Sequence, residues 1–263
     1  MGVKTVQEWV DELQASGRYT FQRSEAIEKA NGGSEAVSKA LLRLVRHRRI
    51  ARIKNYFFVI VPLEYRSAGC PPASWFIHDL MAAMDLPYYV GLLSAAALHG
   101  ASHQQPQELQ VVTSTPVRPL RTGRVRIRFF VKKHIERTPA VEIKTPSGSM
   151  RVSTPEATAV DLVRHPRAAG GLDNVTAILS ELSRNLDSQR LVTAAVEAGL
   201  SAAQRLGYLL DYVGARRLTA SLARRIEDLQ PRAVLLRPGK STNGAKRDSR
   251  WQVIVNEDIE VRP

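Results

Sequence analysis

Between Ser34 and Val61 the hydrophobic period changes once, and that change limits what this part of the chain can fold into. Val37, Leu41, Leu44 and Val45 recur at i, i+4, i+7 and i+8, which lines them up on one stripe of a helix. The opposite face holds Ser38, Lys39, Arg43, Arg46 and His47, and Ser34 stands where an N-cap belongs. Two β-prone runs follow at once, Ile50 to Ile53 and Tyr56 to Val61, separated by Lys54-Asn55. A hairpin is predicted there, although Lys-Asn lacks the glycine of the strongest turn signal.

The residues before Ser34 complete a pattern. Val6, Trp9, Val10 and Leu13 predict a first helix over 5–16, ended by Gly17, and Tyr19-Thr-Phe21 is short and β-prone. Ser24 is placed to cap a second helix through Ala30, and Asn31-Gly-Gly33 supplies a turn that tolerates positive φ. Helix, short strand, helix, glycine turn, helix, hairpin is the order of a winged helix-turn-helix, whose third helix enters the major groove while the hairpin reaches phosphate or minor groove. Charge agrees with that order: from Arg18 to Lys54 there are ten Lys/Arg against three Glu, a net of +7. A solvated basic face on a helical hairpin is the plainer reading. On the sharper one, Ser38, Lys39 and Arg43 are candidates for base edges, because the first half of a recognition helix goes deepest. Arg23, Ser24, Arg52 and Lys54 are then candidates for phosphate, which positions the protein without reading sequence. Arg46, Arg48 and Arg49 could do either.

At 263 residues, two domains are expected. The 38 Lys+Arg exceed the 25 Asp+Glu by 13, an imbalance that attracts polyanions. A single cysteine, Cys70, excludes an intramolecular disulfide and a cysteine-based zinc site, and a reducing, cytoplasmic compartment is expected. The first nine residues lack the apolar core of a signal peptide. No window approaches the roughly 18 apolar residues of a membrane helix, since Leu80 to Leu98 is broken by Asp85 and Pro87; no membrane partner is expected. Pro62 to Ser74 is rich in Pro and small residues, which sets expected domains at 1–64 and 75–263 with a linker at 65–74.

Beyond the linker a helix is predicted over 75–84, then a second, small-residue helix within Tyr88–Gly100. Four β-prone runs at 109–113, 125–131, 141–144 and 150–153 are separated by Pro and Gly, which predicts a mostly antiparallel sheet. Thr154-Pro155-Glu156 reads as a cap with Pro at the first helical position, and an array of helices follows at 172–185, 188–198, 201–213 and 219–227. The end returns to β character at 233–236 and 251–255, joined by a polar stretch. The expected fold class is α+β: an N-terminal winged helix-turn-helix, then a larger mixed α/β domain with an antiparallel-rich sheet and a helical array.

Sites for chemistry are sparse. Gly239-Lys-Ser-Thr242 resembles the tail of a phosphate-binding loop, but Val234 stands where that loop needs glycine. His99 and His103 have the spacing of a metal pair, yet Gly100 breaks the helix that would align them, so no metal is expected. Asp161 sits among apolar residues; a buried hydrogen-bond partner outweighs a catalytic carboxylate, for no second acid lies nearby at helical spacing. In Arg124-Val-Arg-Ile-Arg-Phe-Phe-Val-Lys-Lys133, alternation puts Arg124, Arg126 and Arg128 on one face and Val125, Ile127 and Phe129 on the other. With Lys132 and Lys133 this is either a charged strand that resists edge pairing or a second basic surface.

The winged-helix order, followed by Tyr88-Tyr-Val-Gly-Leu-Leu-Ser-Ala-Ala-Ala-Leu-His-Gly100, Val152-Ser-Thr-Pro-Glu-Ala-Thr-Ala-Val-Asp-Leu162, Gln204-Arg-Leu-Gly-Tyr-Leu-Leu210 and Arg250-Trp-Gln-Val-Ile-Val-Asn256, resembles the AbiEi antitoxin family over nearly the whole chain. These are the transcriptional-regulator halves of abortive-infection toxin–antitoxin systems. The resemblance implies a non-enzymatic protein without cofactor. Its winged helix would repress its own operon at inverted repeats in double-stranded operator DNA. Its larger domain would oppose a nucleotidyltransferase-like toxin in the type IV manner, without a stable complex. Carried to this sequence, repression falls on Ser38, Lys39, Arg43, Arg52 and Lys54, and no short motif transfers for antitoxicity. The rival readings are a nucleic-acid-processing enzyme delivered by a winged helix and a ligand-sensing transcription factor.

Overall fold

Thr5 opens the first helix, α1 (Val6–Ala15), with a capping box: its hydroxyl accepts from Glu8 N–H, and Glu8 Oε2 accepts from Thr5 N–H. The computed structural model describes residues 5–30, 33–101 and 106–260. After α1 come β1 (Thr20–Gln22), α2 (Arg23–Lys29), α3 (Ser34–Arg46), β2 (Ile50–Lys54) and β3 (Phe57–Ile60). The three strands form one antiparallel sheet in the order β1-β3-β2. Trp9 and Val10 of α1, Phe21 of β1, and Val37, Leu41 and Leu44 of α3 share one buried cluster with Ile50, Phe58 and Ile60. Trp9 meets Phe21 edge-on at 5.1 Å between ring centroids, and Phe21 stacks on Phe58 at 5.4 Å. Each such side chain contributes about 1.5–3 kcal/mol on full burial, so the sequence's apolar stripe fixes how α3 is turned.

Two caps differ from expectation. The strand β1 runs straight into α2, so Gln22, still extended, takes the cap position in place of Ser24, and Glu25 closes the box on Gln22 N–H at 3.2 Å. Likewise Ser34 is the first residue of α3, and Gly33 precedes it in the cap position. Of the expected glycine turn, Asn31 and Gly32 lie outside the described residues.

The chain continues with α4 (Ile77–Ala83), β4 (Tyr88–Val90), α5 (Leu92–Leu98), β5 (Leu109–Thr113), β6 (Leu120–Thr122), β7 (Val125–Val131), β8 (Ala140–Thr145), β9 (Gly148–Ser153) and α6 (Pro155–Arg164). It ends with α7 (Leu172–Leu182), α8 (Ser188–Glu197), α9 (Leu200–Tyr212), α10 (Ala220–Leu229), β10 (Val234–Leu235), β11 (Lys246–Asp248) and β12 (Val253–Val255). The class is mixed α+β. Antiparallel pairings predominate, but β5–β7, β4–β9 and β10–β12 are parallel. Tyr88–Val90, expected as part of a helix, is a strand, and the predicted cap is present at α6, where Thr154 Oγ1 accepts from Ala157 N–H.

Contacts divide the chain into two units. The first, Met1–Tyr89, Gln107–Lys133 and Glu142–Arg151, holds the three-stranded sheet and most of a six-stranded sheet in the order β6-β7-β5-β4-β9-β8. Residues 65–74, read from the sequence as a linker, are packed within it: single 3-10 turns span Leu63–Tyr65 and Ala73–Trp75, Cys70 is buried, and Tyr65 meets Trp75 edge-on. Arg124 N–H donates to Ala68 O at 2.9 Å, and a Cβ on Gly123 (φ +53) would stand 2.1 Å from that same oxygen, so the β6–β7 turn requires glycine twice over. The second unit, Val90–Pro106, His134–Val141 and Val152–Pro263, is built on α5 to α10 and the small sheet β10-β12-β11. Among the described residues no helix is long and apolar enough to cross a membrane.

Candidate nucleic-acid interface

With Val37, Leu41 and Leu44 turned inward, α3 presents Glu35, Lys39, Leu42, Arg43 and Arg46 outward, all exposed, at i, i+4, i+7, i+8 and i+11. Lys39 Nζ lies 2.7 Å from Glu35 Oε1, a solvated pair that a stronger anion displaces at little cost. Leu42, 47% exposed in the middle of this cationic stripe, was not singled out by sequence reasoning. Its helical spacing from Lys39 and Arg46 was the available signal.

Ser38 sits beside the stripe, half-buried. Its hydroxyl accepts from Arg23 Nη2 at 2.6 Å and donates to Ser34 O at 2.5 Å, so two candidates drawn from α2 and α3 stand side by side. Arg23 N–H also donates to Tyr56 O at 2.8 Å, which fastens the start of α2 to the hairpin turn. Ser24 is exposed next to it. On the hairpin, Arg52 is exposed and Lys54 half-buried, and the register shifts between them, so Lys54 pairs with Phe57. Tyr56 adds a 39% exposed ring at the turn. Arg48 is exposed with φ +52. Arg49 is placed differently: its side chain is only 15% exposed, and Nη2 holds Asp11 Oδ1 at 2.6 Å, joining the end of α3 to α1.

The basic strand obeys the predicted alternation, with Ile127 buried, Arg126 and Arg128 exposed, and Val125 and Phe129 half-buried. Its reading as an edge strand is corrected, because β7 lies between β6 and β5. Arg126 faces Arg121 of β6 across the sheet, a like-charged pair. Arg128 approaches Glu108 at 3.5 Å and lies over the Phe130 ring. Lys132 Nζ donates to Tyr89 OH at 3.2 Å, while Arg124 and Lys133 are exposed. The hairpin strand β2 packs against β6 inside the first unit.

Of the chemical candidates, His99 and Asp161 both lie in the second unit. His99 is held by Ser153 O at 2.7 Å, and His103 lies outside the described residues. Asp161 is 1% exposed on a helix in which residues 156–163 are all buried. No group of three or more potential metal ligands exists among the described residues.

The two last motifs of the sequence meet in the second unit. Trp251, fully buried, lays its ring on Gly207 of α9, and its indole N–H donates to Asp211 Oδ2 at 2.9 Å. Gln204 Nε2 donates to Gln252 O and Arg232 O, and Arg205 Nε donates to Leu235 O at 2.7 Å. Asn256 accepts from Arg237 N–H and donates to Arg237 O and Lys240 O. These motifs therefore close one side of the second unit on α9.

An α+β chain with a basic helix–hairpin surface and a separate helical unit is the class these observations define. Residues 89–212 match the model of the AbiEi antitoxin C-terminal domain. The fold is shared with the crystal structure of the RV2827C protein from Mycobacterium tuberculosis, at a TM-score of 0.65 and 16% identity over 96% of this chain and 92% of that one. An antigenic nucleotidyltransferase-like protein from Paracoccidioides brasiliensis overlaps at a TM-score of 0.36 and 9% identity, covering 57% of this chain and 89% of that one, which defines no common fold. No curated protein matches the chain.

Proposed function

We propose that this protein is the antitoxin of a toxin–antitoxin pair and the repressor of its own operon. The observation that carries the DNA half is the exposed row Lys39, Leu42, Arg43 and Arg46 on a helix whose other face is locked into the core, flanked by Arg52 and Lys54 on a hairpin. Residues 1–64 act as a winged helix-turn-helix. Lys39 and Arg43 reach base edges in the major groove, with Ser38 behind them and engaged to Arg23. Arg23, Ser24, Arg46, Arg52 and Lys54 hold phosphates. Arg49 reaches phosphate only by leaving Asp11. The basic face around Arg124, Arg126 and Arg128, near the hairpin through β2 and β6, is a second surface for the same polyanion. The antitoxin domain match supports the other half: residues 75–263 oppose a nucleotidyltransferase-like toxin, without enzymatic chemistry of their own and without a stable complex.

The test is binding of the full chain to DNA from upstream of its own gene at low ionic strength, with a promoter reporter and a growth assay beside the neighbouring toxin. Native protein retards that DNA in preference to unrelated duplex, silences the reporter and restores growth, while Arg43→Ala loses the first two and keeps the third. Equal affinity for all duplexes, or growth rescue lost together with DNA binding, sinks the two-part reading.

A further inference from the structure

The second unit contains a cavity of about 750 Å³ beside α10 and β11. Arg224 of α10, Arg247 of β11 and Arg250 line it together with Glu227, Ser249 and Gln252. Three arginines line it against one glutamate, with the Asp211 carboxylate paired to Arg250, and like charges gathered around a concavity repel unless an anion joins them. Among the described residues Glu227 forms an ion pair with none of them. The volume lies in the range of about 300–1,000 Å³ common for small-ligand sites.

One of the three is held in advance of any ligand. Arg250 Nε is buried 3.0 Å from Asp211 Oδ2, an ion pair without the geometry of a hydrogen bond, and its guanidinium lies 5.5 Å from the centre of the Trp251 ring. Asp211 is itself fixed, accepting from Trp251 Nε1 at 2.9 Å and from Thr219 Oγ1 at 2.5 Å. Trp251 is anchored in the core on Gly207. These contacts thus hold one of the lining arginines in place, so little side-chain freedom is lost when an anion arrives. Arg247 is steadied by a hydrogen bond to Gln252 Oε1. Planar guanidinium forks match phosphate oxygens two at a time.

We propose that this cavity binds a terminal phosphate group, carried either by a free nucleotide or by the phosphorylated end of a nucleic acid. The site is independent of the helix–hairpin surface and does not rest on the DNA reading. The experiment titrates pyrophosphate, ATP, and a short single-stranded oligonucleotide with or without a 5′-phosphate into the full chain at low ionic strength, followed by calorimetry. Pyrophosphate binds saturably, and Arg224→Gln combined with Arg247→Gln weakens it on the order of a hundredfold, roughly tenfold for each arginine. Both residues are exposed, so the variant keeps its melting temperature and its affinity for promoter DNA. Arg250→Lys retains the charge but not the fork and falls between the two. Tighter ATP than oligonucleotide identifies the free nucleotide as the source; a preference for the 5′-phosphorylated over the 5′-hydroxyl strand identifies the nucleic-acid end. Absence of saturable pyrophosphate binding, equal binding by the double variant, or polyglutamate binding in place of phosphate overturns the proposal.

Discussion

Gly207 and Trp251 share a single volume: a Cβ on Gly207 would stand 2.1 Å from Cζ3 of the indole, so the glycine is the recess into which the tryptophan fits. The ring is fully buried and the glycine lies in the interior of α9, a position where glycine costs about 1 kcal/mol of helix propensity relative to alanine. The contact therefore offsets a local penalty through tertiary packing. It also explains why two motifs over forty positions apart in the sequence belong together.

Gly207→Ala is expected to destabilise the chain in spite of the better helix former, because overpacking costs about 1–3 kcal/mol or more and exceeds the propensity gain. Urea denaturation followed through tryptophan fluorescence measures it. A stabilised variant means that the ring moves aside without cost.

On the proposed DNA-binding role of the helix–hairpin surface, about six phosphate contacts per bound subunit are expected to give a plot of log K against log salt with a slope near −5. Lys54→Ala weakens all duplexes alike and reduces the slope by about 1, whereas Arg43→Ala also relaxes base preference. Fluorescence anisotropy over a salt series separates the two, and identical behaviour of both variants removes Arg43 from base reading.

Arg49 is expected to act on stability. Its guanidinium holds Asp11, half-solvated, and its stem is largely covered, so Arg49→Ala costs about 1 kcal/mol and Asp11→Ala less. Thermal melts and promoter titrations of both variants test this together. A loss of affinity with an unchanged melt assigns Arg49 to phosphate instead.

Burial pushes the Cys70 thiol up to about 12 and the Tyr88 phenol up to about 12. Both groups stay neutral in the folded chain and ionise earlier in the unfolded one. The stability they contribute is complete below pH 9, the ordinary value of the thiol, and is lost as pH rises toward 12. Melting temperature should be flat from neutrality to that point and then fall, and Cys70 should resist iodoacetamide at pH 8 until denaturant is added. Rapid labelling of the native protein at pH 8 contradicts this picture.

Much of the architecture was legible locally. The stripe Val37, Leu41, Leu44 is buried as its spacing required, the helices of the C-terminal array fall within a few residues of their expected bounds, and Thr154 caps α6. Elements escaped where no local signal existed. Leu120-Arg-Thr122 and Lys246-Arg-Asp248 are short and mostly polar, and they are strands because β7 and β12 offer them free edges. The predominance of antiparallel pairing was foreseen, but nothing in Leu109 to Thr113 indicates that it runs parallel to β7. At the interface, the exposed cations of α3 were readable from periodicity, whereas the removal of Arg49 to Asp11 was not, since its partner lies on another helix.

Hydrophobic period, cap chemistry and charge are properties of a few neighbouring residues, so the chain alone determined which segments coil, which face of α3 turns inward and where positive charge gathers. Only the folded structure decided which distant groups became partners: Gly207 with Trp251, Asp211 with Arg250, Arg49 with Asp11, Arg121 opposite Arg126. Those pairings depend on how separate elements pack, and packing is settled by shape and burial across the whole unit, which no local window contains.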